Sequence, residues 1–211
     1  MNAQILVIAK APVPGRVKTR LCPPCTAEEA AVLAEAALAD TVAAVSGVRC
    51  RRRVLVLAGE MAAPVGFEVV AQRGVSLGSR LAAGFADTAR VGVASFLIGM
   101  DTPQVSPGLL TSALGALAGA DAVLGPAEDG GWWGLGLRNP RHASVLRDVP
   151  TSTATTGERT LDALRERGLR VGLLPVLRDV DTIADAEAVA ELVPGSRFAR
   201  ALAGVRPGVA G

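Results

Sequence analysis

The sequence predicts an α/β protein: a mostly parallel central sheet with helices on both faces, in a three-layer α/β/α sandwich. Three observations predict it. Short aliphatic runs alternate with helix-patterned segments along the whole chain. Helix-start signals stand where that alternation needs them, at Thr26 and Ser106. No repeat and no linker-like stretch divides the 211 residues, so the chain reads as a single domain.

The elements follow in order. Residues 4–9 (QILVIA) form the first strand. Thr26-Ala27-Glu28-Glu29 is a capping box that opens an Ala/Leu-rich helix running to about Val45. Residues 53–58 (RVLVLA) are a second strand and 67–71 a short third. Leu77–Arg90 is a helix with Leu81, Phe85 and Ala89 on one face. Residues 94–98 are a strand that ends at Gly99-Met100-Asp101. Ser106 is an N-cap with Pro107 at the first helical position. A strand at 121–125 precedes the glycine-rich, extended stretch 129–137 (DGGWWGLGL). A helix over Thr156–Glu166, a strand over 170–175 and a helix over Ile183–Leu192 complete a core of about residues 4–192. The Gly/Arg-rich tail, 194–211, is expected to pack loosely.

Composition excludes several classes of function. Half the residues are hydrophobic, enough for a well-formed core, which is aliphatic because there is no Tyr and only four Phe and two Trp. A net charge of +2 gives no global basic field, so nucleic acid is not an expected partner. No apolar stretch approaches the roughly 20 residues of a membrane span, and the N-terminus lacks a signal-peptide pattern. A cytoplasmic protein is expected, with no membrane partner. The three cysteines include Cys22-Pro23-Pro24-Cys25, a C-x-x-C. A closed zinc site needs four ligands, and Cys50 and His142 stand at spacings that match no finger or ribbon. The pair reads as two incidental thiols, with a disulfide as the next reading.

Ligands of a parallel sheet bind at the carboxyl ends of its strands, so the strand-exit loops are read together. The first, Lys10–Arg20, carries Lys10, Arg16, Lys18 and Arg20 in a turn stiffened by Pro12 and Pro14 and loosened by Gly15. Its cations and backbone N–H groups suit a diphosphate, although it is neither a Walker A loop nor a G-x-G-x-x-G loop. Asp101, at a strand exit, is placed to hold a divalent cation, since Mg²⁺ on phosphates takes one or two protein carboxylates. In Asp179-Val180-Asp181-Thr182 the two aspartates point the same way if the segment is extended. Asp181 then either completes a metal site or caps the following helix. In Glu128-Asp129-Gly130-Gly131-Trp132-Trp133 the glycines permit close approach of a ligand, Asp129 suits a general base, and an indole face suits a sugar or base.

The order of these features resembles the nucleotide-diphospho-sugar transferase superfamily, whose fold is called GT-A. AKAPVPGRVKTRL, QRGVSLGSRLAAGF, LIGMDTPQVSPGLL and VLGPAEDGGWWGLGLR resemble more closely one branch of it, small bacterial proteins long catalogued as a domain of unknown function. The likeness spans about residues 4–190. The 2-phospholactate and molybdenum-cofactor guanylyltransferases resemble the chain more distantly. One departure is Met100, which stands where a small polar residue is usual.

The resemblance implies that Lys10, Gly15, Arg16, Lys18, Thr19, Arg20, Gln72, Gly78 and Arg80 bind a nucleotide. Asp101 and Asp181 would hold Mg²⁺ or Mn²⁺, and Gly130, Gly131, Trp132 and Trp133 would face the acceptor. Asp129 would be the acceptor-side base and Lys18 the cation on the attacked or departing phosphate. The expected function is transfer of a sugar from a nucleoside-diphosphate sugar to a small-molecule acceptor. Nucleotidyl transfer from an NTP to a phosphorylated small molecule is the alternative, and nucleotide binding without turnover the third reading. A homodimer is compatible with all three.

Overall fold

The structure, a computed structural model, describes residues 2–205. Seven strands form one sheet: β1 (Ala3–Lys10), β2 (Arg52–Ala58), β3 (Glu68–Ala71), β4 (Ala94–Gly99), β5 (Ala122–Pro126), β6 (Trp132–Leu137) and β7 (Val171–Leu173). Their order is β3-β2-β1-β4-β6-β5-β7. All pairs are parallel except those made by β6, which runs antiparallel to β4 and to β5. The β5–β6 hairpin therefore inserts one reversed strand into a parallel sheet. Leu6 marks the centre, paired with Val54 on one side and Leu97 on the other, all three fully buried.

Helices cover both faces, as the sequence predicts. On one face α1 (Ala27–Ser46) and α3 (Pro107–Ala116) pack over Ile5, Val7, Leu55, Phe96, Ile98 and Val123. On the other, α2 (Leu77–Thr88), a 3-10 helix over Pro140–Arg147 and α4 (Thr156–Glu166) cover Leu6, Val54, Val56, Leu97 and Leu135. The capping box of α1 is formed, with Thr26 Oγ1 accepting from Glu29 N and the Glu29 carboxylate accepting from Thr26 N. Ser106 likewise accepts from Leu109 N at the start of α3.

A partial fourth layer lies outside α1. Helices α5 (Ile183–Leu192) and α6 (Arg197–Gly204) pack on its outer side through Val180, Ala186, Val189 and Phe198, which meet Ala30, Leu33 and Ala37. So α1 buries two faces: Ala31, Ala34 and Leu38 against the sheet, and Ala30, Leu33 and Ala37 against the outer layer. That requirement explains its near-uniform Ala/Leu composition, since a helix with one wet face would be amphipathic.

The sequence expectation of a loosely packed tail is corrected over 197–204. Phe198 is fully buried, and Asp40 on α1 accepts from the backbone N–H of Phe198 (2.8 Å) and Arg197 (3.2 Å) at the start of α6. Glycine and arginine obscured an eight-residue helix held by one aromatic and one carboxylate. The rest of the tail, 206–211, lies outside the described residues. Truncation of Phe198 to Ala is expected to lower the unfolding free energy by ~3–5 kcal/mol. Denaturant titration checks this, and a loss within about 0.5 kcal/mol, the scale of a surface change, would show that α6 is not part of the cooperative fold.

Candidate active site

Because β1 and β4 are parallel neighbours, their exit loops leave the sheet side by side. Val17 and Leu21 anchor the β1 exit loop in the core, while Arg16 and Arg20 on either side are exposed. Between the anchors Lys18 adopts a left-handed backbone (φ 47°) and its side chain turns inward, only 8% exposed. Its Nζ lies 2.9 Å from Asp101 Oδ1 and 3.4 Å from Asp181 Oδ1, and it donates to the Val180 carbonyl. Arg20 Nη1 meets the other oxygen of Asp181 at 3.0 Å.

The segment after β7 brings Asp179 and Asp181 to the same place. Leu177 bridges Ala127 in parallel, Glu128 N donates to Leu177 O (3.0 Å), and Arg178 pairs with Glu128 at 2.6 Å. Further on, Val180 N donates to the Asp101 carbonyl at 3.0 Å, and the Gln104 side chain donates to Arg178 O at 2.6 Å. Val180 is buried between the two aspartates, the alternation expected of an extended segment. Thr182 then caps α5, its hydroxyl accepting from Asp185 N. The cap is therefore Thr182 and Asp185, which frees Asp181 to face Lys18.

Carboxylates outnumber cations here. Burial alone would lower the pKa of Lys18, but Asp101 and then Asp181 outweigh it and raise it, so Lys18 is firmly an ammonium. Asp179 is pushed up to about 7, first by burial and then by the charges of Asp101, Asp129 and Asp181, with Lys18 opposing. Asp179 is the residue the sequence reading left out of the site. Its signal was present in the D-x-D alternation, but nothing local showed that both aspartates would meet Asp101.

The donor set fits Mg²⁺ or Mn²⁺ of the kind that bridges protein to phosphate. Asp101 and Asp181 are hard oxygen donors, 41% and 38% exposed, in a locally anionic cluster. No group of three or more His, Cys, Asp or Glu side chains among the described residues forms a ready-made cage. One or two carboxylates with the remaining ligands supplied by phosphate and water is the arrangement these residues allow.

The other predicted site residues divide. Lys10 and Arg16 are exposed and make no ion pair among the described residues. Gly15 (φ 74°) forms the open turn beside them, and Thr19 starts a short 3-10 turn. Met100 has a structural reason: its Sδ accepts from Lys10 N beneath the loop. Gln72 ties the ends of β1 and β2 together, donating to Ala9 O (2.7 Å) and Val56 O (3.0 Å). Arg80 donates to Gly74 O. Gly78 is a packing glycine, since a Cβ there would stand 2.2 Å from Leu146 O. These three are committed to scaffold contacts and do not join the Lys18 cluster.

Asp129 Oδ1 accepts from Gly131 N at 2.7 Å, which orients the carboxylate at the tip of the β5–β6 loop. Gly130 (φ 84°) and Gly131 line a cavity of about 200 Å³ with Leu124, Pro126, Ala154 and Leu161. Gly130 is irreplaceable by geometry, because a Cβ would meet Ala154 O at 1.9 Å. A larger cavity, about 350 Å³, lies away from this cluster between the 3-10 helix and α4.

Trp133 is a correction. The β5–β6 register shifts at Gly125/Pro126, and across that irregularity Trp133 enters the core under α1 and α3 while Leu135 and Leu137 face α2 and α4. Its ring lies over Gly125, tilts against Phe96 at 5.9 Å, and its Nε1 donates to Pro175 O. A buried indole cannot be the acceptor platform, whereas Trp132 is half-buried and remains at the loop. The cysteines are all free thiols, with Cys25 buried beside Leu21 in the outer core cluster.

Sheet order, reversed β6 and a carboxylate cluster at the strand exits define a nucleotide-diphospho-sugar transferase-like protein. The chain belongs to the family described as "Uncharacterized protein conserved in bacteria (DUF2064)", whose model matches residues 30–153. A candidate nucleotide-diphospho-sugar transferase of Desulfovibrio desulfuricans G20 superposes with a TM-score of 0.82 at 28% identity, over 96% of this chain and 94% of that one. Two further likenesses concern the fold. Rv0371c of Mycobacterium tuberculosis H37Rv, in complex with manganese, has a TM-score of 0.56 at 20% identity, over 90% and 99% of the two chains. The 2-C-methyl-D-erythritol 4-phosphate cytidylyltransferase of Thermus thermophilus has 0.50 at 16%, over 96% and 98%. No protein of curated function matches the sequence. Among the described residues no helix is long and apolar enough to cross a membrane.

Three variants check this geometry. Trp133→Ala is expected to cost ~3–5 kcal/mol of stability, as for other buried aromatics, while Trp132→Ala costs clearly less. Asp179→Asn removes one of four crowded charges and is expected to raise Tm at pH 8. A lowered Tm would mean that Asp179 is held by favourable contacts instead.

Proposed function

We propose that the protein is a Mg²⁺- or Mn²⁺-dependent transferase that moves a sugar from a nucleoside-diphosphate sugar to a small-molecule acceptor. The observation that carries this reading is the junction of Lys18, at the exit of β1, with Asp101 at the exit of β4 and Asp181 in the segment after β7, 2.9 and 3.4 Å away. It joins the cationic loop to the carboxylates at the edge where parallel sheets bind ligands. The likeness to the Desulfovibrio protein over nearly the whole chain supports the donor class. The manganese complex of the mycobacterial protein supports the metal by analogy.

Lys10 and Arg16, exposed and unpaired among the described residues, suit the diphosphate. Asp101 and Asp181 would hold the ion, which when bound neutralises charge on the departing diphosphate. Asp129, oriented by Gly131 N, would take the proton of an acceptor hydroxyl or thiol. The acceptor oxygen or sulfur bonds to the anomeric carbon, the bond from that carbon to the phosphate oxygen breaks, and the nucleoside diphosphate leaves with the electron pair. The cavity beside Gly130 and Gly131 suits the acceptor.

Nucleotidyl transfer is the second reading, and the position of Trp133 favours it. With that indole in the core, the loop loses one of the two aromatic faces that suited a sugar.

Thermal-shift measurements separate the readings. Sugar transfer predicts stabilisation by UDP- or GDP-sugars with Mn²⁺ and none by NTPs; the reverse supports nucleotidyl transfer, and no shift with either counts against both. Asp101→Asn is expected to lose metal-dependent nucleotide binding with an unchanged circular dichroism spectrum. Unaltered Mn²⁺–nucleotide affinity by calorimetry would remove Asp101 from the metal site. Asp129→Asn is expected to keep nucleotide binding and lose turnover, and retained turnover would remove it as the base.

A further inference from the structure

Three of the four carboxylate oxygens that Asp101 and Asp181 would offer a divalent ion already face a cation. Asp101 Oδ1 and Asp181 Oδ1 both face Lys18 Nζ, and Asp181 Oδ2 faces Arg20 Nη1. A buried ammonium and a divalent ion compete for these oxygens, because both depend on the same negative charge. We propose that Lys18 is a built-in counter-ion that closes the metal site of the metal-free protein, so that metal binding is coupled to release of Lys18 toward the phosphates of the donor. This inference rests on the reading of Asp101 and Asp181 as metal ligands.

Three further observations support it. Lys18 sits in the left-handed region at φ 47° and ψ 39°, an uncommon conformation for a residue that is not Gly, Asn or Asp. Such conformations persist where the surroundings over-determine them, and here the carboxylates and the Val180 carbonyl do so. Next to Asp101, Thr102 Oγ1 and Gln104 Oε1 are buried without a hydrogen-bond partner. Buried polar groups are otherwise nearly always satisfied, so these two acceptors at the exit of β4 are open to a ligand or to a rearranged neighbour. Finally, Lys10 and Arg16 already stand exposed on the same loop. A rotation of the flexible lysine stem adds a third cation to them.

The coupling has a direction. An ion arriving alone must displace Lys18 into water and binds weakly. An ion arriving with a nucleotide diphosphate gives Lys18 a new anionic partner, so metal and nucleotide bind cooperatively. Lys18 thus guards against binding the metal without the donor.

Titration of Mn²⁺ alone, followed by electron paramagnetic resonance, tests this on wild type and Lys18→Met. The variant is expected to bind Mn²⁺ roughly tenfold more tightly than wild type, within the range of coupled sites. Equal or weaker binding by the variant, while wild type binds Mn²⁺ in the presence of UDP or GDP, overturns the role of Lys18 and leaves the metal site standing. Failure of both proteins to bind Mn²⁺, with or without UDP or GDP, overturns the metal reading and this inference together. A second measurement needs no variant. Lys10 and Lys18 are the only lysines of the chain, so reductive methylation followed by peptide mass spectrometry reports each separately. Lys10 is expected to react throughout. Lys18 is expected to be shielded without metal and to react severalfold faster at saturating Mg²⁺. An unchanged Lys18 rate overturns the proposal.

Discussion

One ammonium group holds the candidate site together. Lys18 Nζ touches the exit of β4 through Asp101 and the segment before α5 through Val180 and Asp181. Residues 18, 101 and 181 come from distant parts of the chain, and no apolar contact joins their charged ends. A buried charge of this kind is costly unless paired, and removing either partner leaves the other uncompensated. The arrangement therefore says more about what the site requires than about stability. Carboxylates are gathered past the number that one lysine satisfies, and Asp179 is raised to about 7 by burial first and then by these neighbouring charges.

The sheet makes that gathering possible. Parallel β1 and β4 deliver their exit loops to one edge. The reversed β6 places the β5–β6 loop, with Asp129 and Gly130, at the same edge. The segment after β7 then crosses back along β5 and reaches β4, tied by Glu128, Arg178 and the Asp101 carbonyl. Helices α5 and α6 come next in the chain and cover the outer side of α1. Site and fourth layer are consequences of one path.

Membership of a family and a close structural likeness fix the class of scaffold, but a scaffold does not choose the reaction. The charges carry the chemistry: two cations on the first loop, exposed and unpaired among the described residues, a carboxylate cluster at the strand exits, and one carboxylate oriented by Gly131 N at the tip of the β5–β6 loop. Sugar transfer and nucleotidyl transfer both use the first two features. They differ in what the third must do, and hence in what occupies the loop of Gly130 and Gly131.

Much of this was legible in the linear chain, and the reason is local. Strand runs, the capping box at Thr26 and the Ser106-Pro107 start depend on neighbours within about four residues, so the sequence by itself determined the strands, helices α1 to α5, their order and the candidacy of Lys18, Asp101 and Asp181, but not the 3-10 helix over Pro140–Arg147. The α6 helix escaped because its stability comes from Phe198 inserting beside α1 and from Asp40, 157 and 158 residues away from its partners. Trp133 escaped because a one-residue register shift against β5 sends a side chain to the opposite face, and register is a property of two strands. Only the tertiary structure decided which cations remain exposed for phosphate and which is spent on carboxylates. Pairing energy depends on distance in space and on burial, and neither is written in the spacing of residues along the chain.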